Sequence, residues 1–203
     1  AFEMADGTLM TGFSNVGDKK TSNPYLNREP RFYATIGFDG CTWGRVRPAD
    51  AYPLDPTPLG QLQCGYYEVS GVESSVTIKL PPNDTELTFK GLSGIDTRQG
   101  PIEDWNGSWT GYYERKLVDT SVDGQNYAQN VPWTYFRLAE MYLIAAEASV
   151  ELNELEDAAS YLDALRNRIG MPDTKTTLTR RGKAFNQADM REFVRHERFV
   201  ELA

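Results

Sequence analysis

One histidine and two cysteines are all that this 203-residue chain offers for imidazole or thiol chemistry. His196 stands between Arg195 and Glu197, and no Gly-x-Ser-x-Gly elbow accompanies it, so a nucleophilic triad has no support. Cys41 and Cys64 lack His and Cys companions at metal-ligand spacing, which argues against zinc. They read either as a disulfide of an exported protein or as two buried thiols. No apolar run approaches the roughly 20 residues that a membrane-spanning helix needs. Basic residues are also short, 21 against 29 acidic for a formal charge of -8, which disfavours nucleic acid as a partner because phosphates need a basic surface. The glycines lack the strand-loop-helix setting of a phosphate-binding motif. The oxygen-rich stretches 81–86 and 119–126 miss the EF-hand spacing and read as turns. No cofactor, metal or catalytic residue is therefore expected. The first ten residues lack the charged start, apolar run and small-residue cleavage site of a signal peptide.

What the chain does have is two kinds of text. Residues 1–131 hold most of the glycines, with short apolar runs between Gly and Pro, and predict an irregular region with short strands near 31–38, 65–69, 75–80 and 87–89. Residues 132–203 turn to helical spacing, which predicts helices over about 133–152, 155–169 and 187–203. The expected apolar stripes are Leu138, Met141, Tyr142, Ala145, Ala148 and Leu152, then Ala158, Tyr161, Leu162, Leu165 and Ile169, then Met190, Phe193, Val194 and Val200. Asn153 is placed to stop the first helix, and Gly170 with Pro172 the second. Small residues (Ala145, Ala146, Ala148, Ala158, Ala159) between large ones resemble a tetratricopeptide-type helix pair, and 173–183 reads as a polar loop.

The aromatic residues, 4 Trp, 11 Tyr and 9 Phe, often lie beside Gly, Asn, Asp or Pro. Sugars present flat C–H faces that stack on rings, and hydroxyls that demand paired donors and acceptors. The stretches DGCTWGR (39–45) and IEDWNGSWT (102–110) combine both needs, which makes Trp43, Trp105, Trp109, Tyr66 and Asn106 the candidate glycan-binding residues. A loop Trp is more often a plug that packs the loop onto the core, and Trp133 beside Pro132 reads that way. Tyr66-Tyr67 and Tyr112-Tyr113 alternate across a strand if they lie on one, so at most one of each pair points outward.

Several separate segments resemble the SusD/RagB family. FRLAEMYLIAAEA (136–148) is similar to the family's "fRlAEvyLiyAEA", ALRNRIGMP (164–172) to "lN.vR.RaGlp", and HERFVEL (196–202) to "ERr.ELa". Upstream, EPRFYAT (29–35) resembles "DPRfyat" and TGYYERK (110–116) resembles "tGyy.rK". The family's continuation, "EG.R..D..R", is missing, and family chains are much longer, so the resemblance implies a C-terminal-middle part of such a protein. It implies a mainly α, SusD-like fold of tetratricopeptide-type helix pairs with an irregular loop and short-strand insertion. It also implies a non-enzymatic, surface-exposed outer-membrane lipoprotein that binds oligosaccharide or polysaccharide and sits on a SusC-like TonB-dependent transporter. For Tyr112 and Tyr113, the family motif implies packing.

Two other readings stand beside it. A tetratricopeptide-like protein adaptor would bury its loop tryptophans. A glycoside hydrolase would need two carboxylates facing one bond. Glu140, Glu147, Glu197 and Glu201 are the carboxylates available for that, but they lie on packing helices with Arg137 and Arg198 at hand, so ion pairing is the expected role.

Overall fold

The computed structural model describes residues 2–10, 24–42, 62–64, 96–97, 107–119, 130–132 and 134–203, together with the backbone of the strands between 66 and 93. The chain forms two compact units, one of Ala1–Thr35 with Trp133–Ala203 and one of Ile36–Pro132. Residues at the front of the chain thus share a body with the helices at its end.

In the first unit, α1 (Pro30–Thr35) precedes α2 (Leu138–Glu151), α3 (Leu155–Arg168), α4 (Thr174–Arg180) and α5 (Gln187–Leu202). The core gathers Leu143, Ala146 and Val150 of α2, Ala158, Leu162 and Leu165 of α3, Leu178 of α4, and Met190, Phe193 and Val194 of α5. Each large aliphatic side chain removed from water here contributes about 2 kcal/mol. α2 and α5 run antiparallel, since Gln187 donates to the Val150 carbonyl while Arg198 reaches Glu140 at the other end.

Three helices end in the same way. In α2, Asn153 adopts a left-handed φ of 61°, and Glu154 N–H returns to the Ser149 carbonyl. Gly170 repeats this after α3 with φ 72° and a Met171-to-Arg166 bond, and Gly182 after α4. At the other ends, Asp173 caps α4 by accepting from Thr176 N–H, and Asn186 caps α5 by accepting from Asp189 N–H.

Four expectations are corrected. The stretch 31–38 is helical to Thr35 and only Ile36–Gly37 is strand, because Pro30, with its φ already fixed, opens a short helix. The 173–183 loop contains α4, whose Thr-rich sequence has low intrinsic helix preference and depends on its Asp173 cap. α2 starts at Leu138 rather than near 133, after an extended Arg137. Its buried face is also not the expected stripe: Leu138 is 68% exposed and Leu152 70%, and Met141 and Ala148 are also exposed, while Leu143, Ala146 and Val150 face the core. In α3, Tyr161 and Ile169 are not fully buried, whereas Ala158, Leu162 and Leu165 are; the α5 stripe is buried throughout.

The second unit contains three two-stranded antiparallel sheets among its described residues. β1 (Ile36–Gly37) pairs with β6 (Tyr113–Glu114), β2 (Tyr66–Tyr67) with β5 (Leu92–Ser93), and β3 (Ser75–Leu80) with β4 (Thr85–Lys90). The β3–β4 ladder runs from Ser75↔Lys90 to Leu80↔Thr85, so β2 and β5 bracket a hairpin. Most of the two oxygen-rich stretches lies outside the described residues.

Candidate functional site

Within the second unit, Ser108 organises a tight turn. Its Oγ accepts from the amides of Thr110 and Gly111, each at 3.1 Å, and donates to the Tyr112 carbonyl at 2.9 Å. Thr110 Oγ1 lies 3.2 Å from the same oxygen and accepts from the Tyr112 amide. Gly111 takes φ 74°, the left-handed conformation that glycine adopts without steric cost. The turn is fastened beneath: Ser108 N–H donates to Tyr113 Oη at 2.9 Å, the Tyr113 hydroxyl donates to the Asp96 carbonyl, and Tyr113 is paired with Gly37.

This geometry puts Trp109 at the tip, 77% exposed, with Tyr112 41% exposed beside it and Tyr113 half-buried. One tyrosine of the pair faces out and the other anchors. A side chain as large as Trp held in water gives up most of the stabilisation that burial would supply, about 2 kcal/mol or more. Of the other candidates, Trp43, Trp105 and Asn106 lie outside the described residues. Tyr66 is placed on β2 opposite Ser93, and its side chain is not described.

Elsewhere in this unit, Cys41 is a buried thiol whose Sγ accepts from Phe38 N–H at 3.3 Å, and burial pushes its pKa up. The Cys64 amide donates to Asp39 Oδ1.

The carboxylates weighed for catalysis sit in the first unit, and three of the four are engaged in ion pairs. Glu197 is bound by Arg31 at 2.6 Å and Arg166 at 2.7 Å, and Glu201 by Arg31, Arg137 and Arg168. Glu140 meets Arg198 at 3.3 Å, and Glu147 points to solvent. Sequence reasoning missed Glu3, Glu29, Arg31, Arg166, Arg168 and Arg181 of this network.

Arg166 spends its donors on Glu3, Glu197, Thr177 Oγ1 and the Pro172 carbonyl, while packing over the Phe193 ring. Burial alone would raise the Glu3 carboxyl, but His196 3.5 Å away, hydrogen bonds from Arg166 and the charges of Arg166 and Arg181 hold it at about 2. Glu29 goes the other way, raised by burial against the opposing pull of Arg31. Arg31 and Arg166 lose solvation on burial, yet their carboxylate partners keep both cations above the usual guanidinium range. Carboxylates bound by arginines in this way hold the fold together rather than face a substrate.

Among the described residues, no group of three His, Cys, Asp or Glu side chains could hold a metal ion, and no helix is long and apolar enough to cross a membrane.

A fold of this kind already has relatives. The sequence model of the SusD family matches residues 1–203, and the chain belongs to that family. A SusD-like protein of Formosa agariphila is 35% identical over 94 residues, covering 45% of this chain and 17% of its own. The solved structure of a SusD-like protein from Bacteroides fragilis superposes over 100% of the chain with a TM-score of 0.59 at 29% identity, and a SusD-like carbohydrate binding protein from the same species does so with a TM-score of 0.57 at 22%. The chain spans 31% of the length of each of these two structures.

The residues of the helical signature segments and the ion-pair network coincide. EPRFYAT supplies Glu29 and Arg31, FRLAE supplies Arg137 and Glu140, ALRNR supplies Arg166 and Arg168, and HERFVEL supplies Glu197 and Glu201. These segments therefore tie the helical unit together through ion pairs.

Proposed function

We propose that this chain is part of a non-catalytic glycan-capturing protein of the bacterial surface, a lipoprotein of the outer membrane that binds oligosaccharide or polysaccharide and passes it to a SusC-like TonB-dependent transporter. The observation that carries this reading is the tip of the Ser108 turn, where Trp109 stands in water beside Tyr112. An indole face takes the C–H face of a pyranose by stacking, and backbone and hydroxyl groups of the turn are at hand for sugar hydroxyls. Membership of the SusD family and the likeness to a SusD-like carbohydrate binding protein of Bacteroides fragilis support the ligand class. Engagement of Glu140, Glu197 and Glu201 by arginines supports binding without cleavage.

The test is a glycan array probed with the full-length protein, with a reducing-end assay in parallel. Binding to one polysaccharide class without new reducing ends is the expected result. New reducing ends would replace the capture reading with a hydrolase.

A second reading, a tetratricopeptide-like adaptor for another protein, is favoured by one observation. α2 carries a second apolar face, Leu138, Met141, Ile144 and Leu152, directed away from its core. Co-purified protein together with no glycan binding would favour it.

A further inference from the structure

We infer that Ser108 is a positioning residue of the glycan site: its hydroxyl locks the 108–112 turn so that the Trp109 ring is held out for stacking before any sugar arrives. The inference rests on the glycan-binding reading above and adds how the site achieves its affinity.

The argument starts from the cost of holding an exposed ring still. A Trp at a loop tip has rotamer and backbone freedom, and a ligand that must freeze it loses affinity by the cost of ordering, about 0.5–1.5 kcal/mol for each immobilised side chain and more for a mobile loop. In this turn the backbone that carries the ring is already ordered around one atom. Ser108 Oγ collects the amides of Thr110 and Gly111 and reaches the Tyr112 carbonyl, so the residues on both sides of Trp109 are tied to a single hydroxyl.

The hydroxyl in turn has a fixed base. Ser108 bridges Thr97, and its amide is held by Tyr113 Oη, which is itself bound to the Asp96 carbonyl, while Tyr113 pairs in register with Gly37. The chain of restraint runs from strand pairing, through a half-buried tyrosine, to a serine hydroxyl, and reaches the backbone on both sides of the exposed indole. Gly111 completes it: φ 74° there lets the backbone turn back under the ring, and an added Cβ would lie 3.5 Å from Cys64 Cβ, an ordinary contact, so a substitution at this position strains the backbone rather than the packing.

Nothing in this arrangement needs Ser108 to touch sugar, which separates it from a ligand-contacting residue. Removal of the hydroxyl leaves Trp109 present and exposed on a turn that has lost its central hydrogen-bonding atom. Ser108→Thr keeps an oxygen at the same place, so it serves as the conservative rescue.

The experiment uses the full-length protein labelled with fluorotryptophan, the Trp109 resonance being assigned by its loss in Trp109→Phe. Maltoheptaose, cellohexaose, laminarihexaose and xylohexaose are titrated in turn by calorimetry. For an oligosaccharide that binds the wild type, Ser108→Ala and Gly111→Ala are expected to weaken binding about five- to tenfold and Ser108→Thr to stay within about twofold. In the sugar-free protein, Ser108→Ala is expected to shift and sharpen the Trp109 fluorine signal as the ring gains freedom, with the melting temperature nearly unchanged. If Trp109→Ala weakens binding while Ser108→Ala and Gly111→Ala bind like wild type, the positioning role is wrong and the glycan site stands. If no oligosaccharide binds the wild type, or Trp109→Ala binds equally well, the glycan reading at this turn is wrong and the inference falls with it. An unmoved fluorine signal in Ser108→Ala overturns the inference whatever binds.

Discussion

Arg166 Nη1 and Glu197 Oε2 lie 2.7 Å apart, and neither side chain has any surface in contact with water. Arg166 comes from α3 and Glu197 from α5, so one ion pair clamps two helices whose apolar stripes share one core. A buried pair adds little over a well-packed apolar substitute, but the loss of one partner strands a charge away from water.

Replacing Arg166 by Met is therefore expected to cost about 3–5 kcal/mol, because Glu3 and Glu197 would both lose a buried counter-charge. Urea unfolding monitored by circular dichroism measures this. A loss below about 1 kcal/mol would mean that water reaches the network.

Acid should weaken the same region in a defined window. The Glu3 carboxyl lies at about 2 in the folded protein against an ordinary 4.5, so it contributes stability that is fully present above 4.5 and lost as pH falls toward 2. The shift corresponds to about 3 kcal/mol. Glu29 has the opposite sign: its raised pKa means that the folded state takes up this proton more readily than the unfolded chain, so protonation of Glu29 offsets part of the loss. Glu3→Gln should flatten the fall of the unfolding midpoint across this window, and Glu29→Gln should steepen it. Unfolding curves at a series of pH values for the three proteins check both signs.

The two faces of α2 should respond differently to substitution. Leu143→Ala removes a fully buried side chain and should cost about 2–5 kcal/mol. Leu138→Ser and Leu152→Ser, on the exposed face, should change the stability of this 203-residue chain by about 0.5 kcal/mol or less. Thermal melts of the three variants decide it, and a large loss at Leu138 would mean that the expected sequence stripe is the packing face after all.

The short α4 should depend on its cap. Asp173→Ala removes the acceptor for Thr176 N–H and should cost about 1 kcal/mol, with amide exchange rising first in Thr174–Arg180.

These residues also show which parts of the fold the sequence carries openly. α3 and α5 have one apolar stripe each, and their core residues Leu162, Leu165, Met190 and Phe193 follow directly from spacing. α2 is apolar on two faces, separated by a narrow strip of Glu140, Glu147 and Glu151, so periodicity establishes the helix but cannot choose which face is buried. The strand text at 75–80 matches β3, since apolar Val76, Ile78 and Leu80 alternate with polar Ser75, Thr77 and Lys79. Helix α1 was hidden because its six residues are too few for a period, leaving Pro30 as the only signal. The ion network was out of reach for another reason: Glu3 and Arg166 are 163 positions apart, and no local rule pairs them. At the candidate site, the aromatic-rich text pointed to Trp109, but the Ser108 turn that presents it depends on the Ser108 amide donating to Tyr113 Oη and on Tyr113 donating to the Asp96 carbonyl, which spacing does not encode.

The most direct measurement is calorimetric titration of the full-length protein and its Trp109→Ala variant with the oligosaccharide class selected by the array. The glycan-capture account expects the wild type to bind without cleavage and the variant to lose about tenfold or more in affinity with its fold intact. Equal affinity in the two proteins would contradict the account and remove the Ser108 turn as the place where sugar is held.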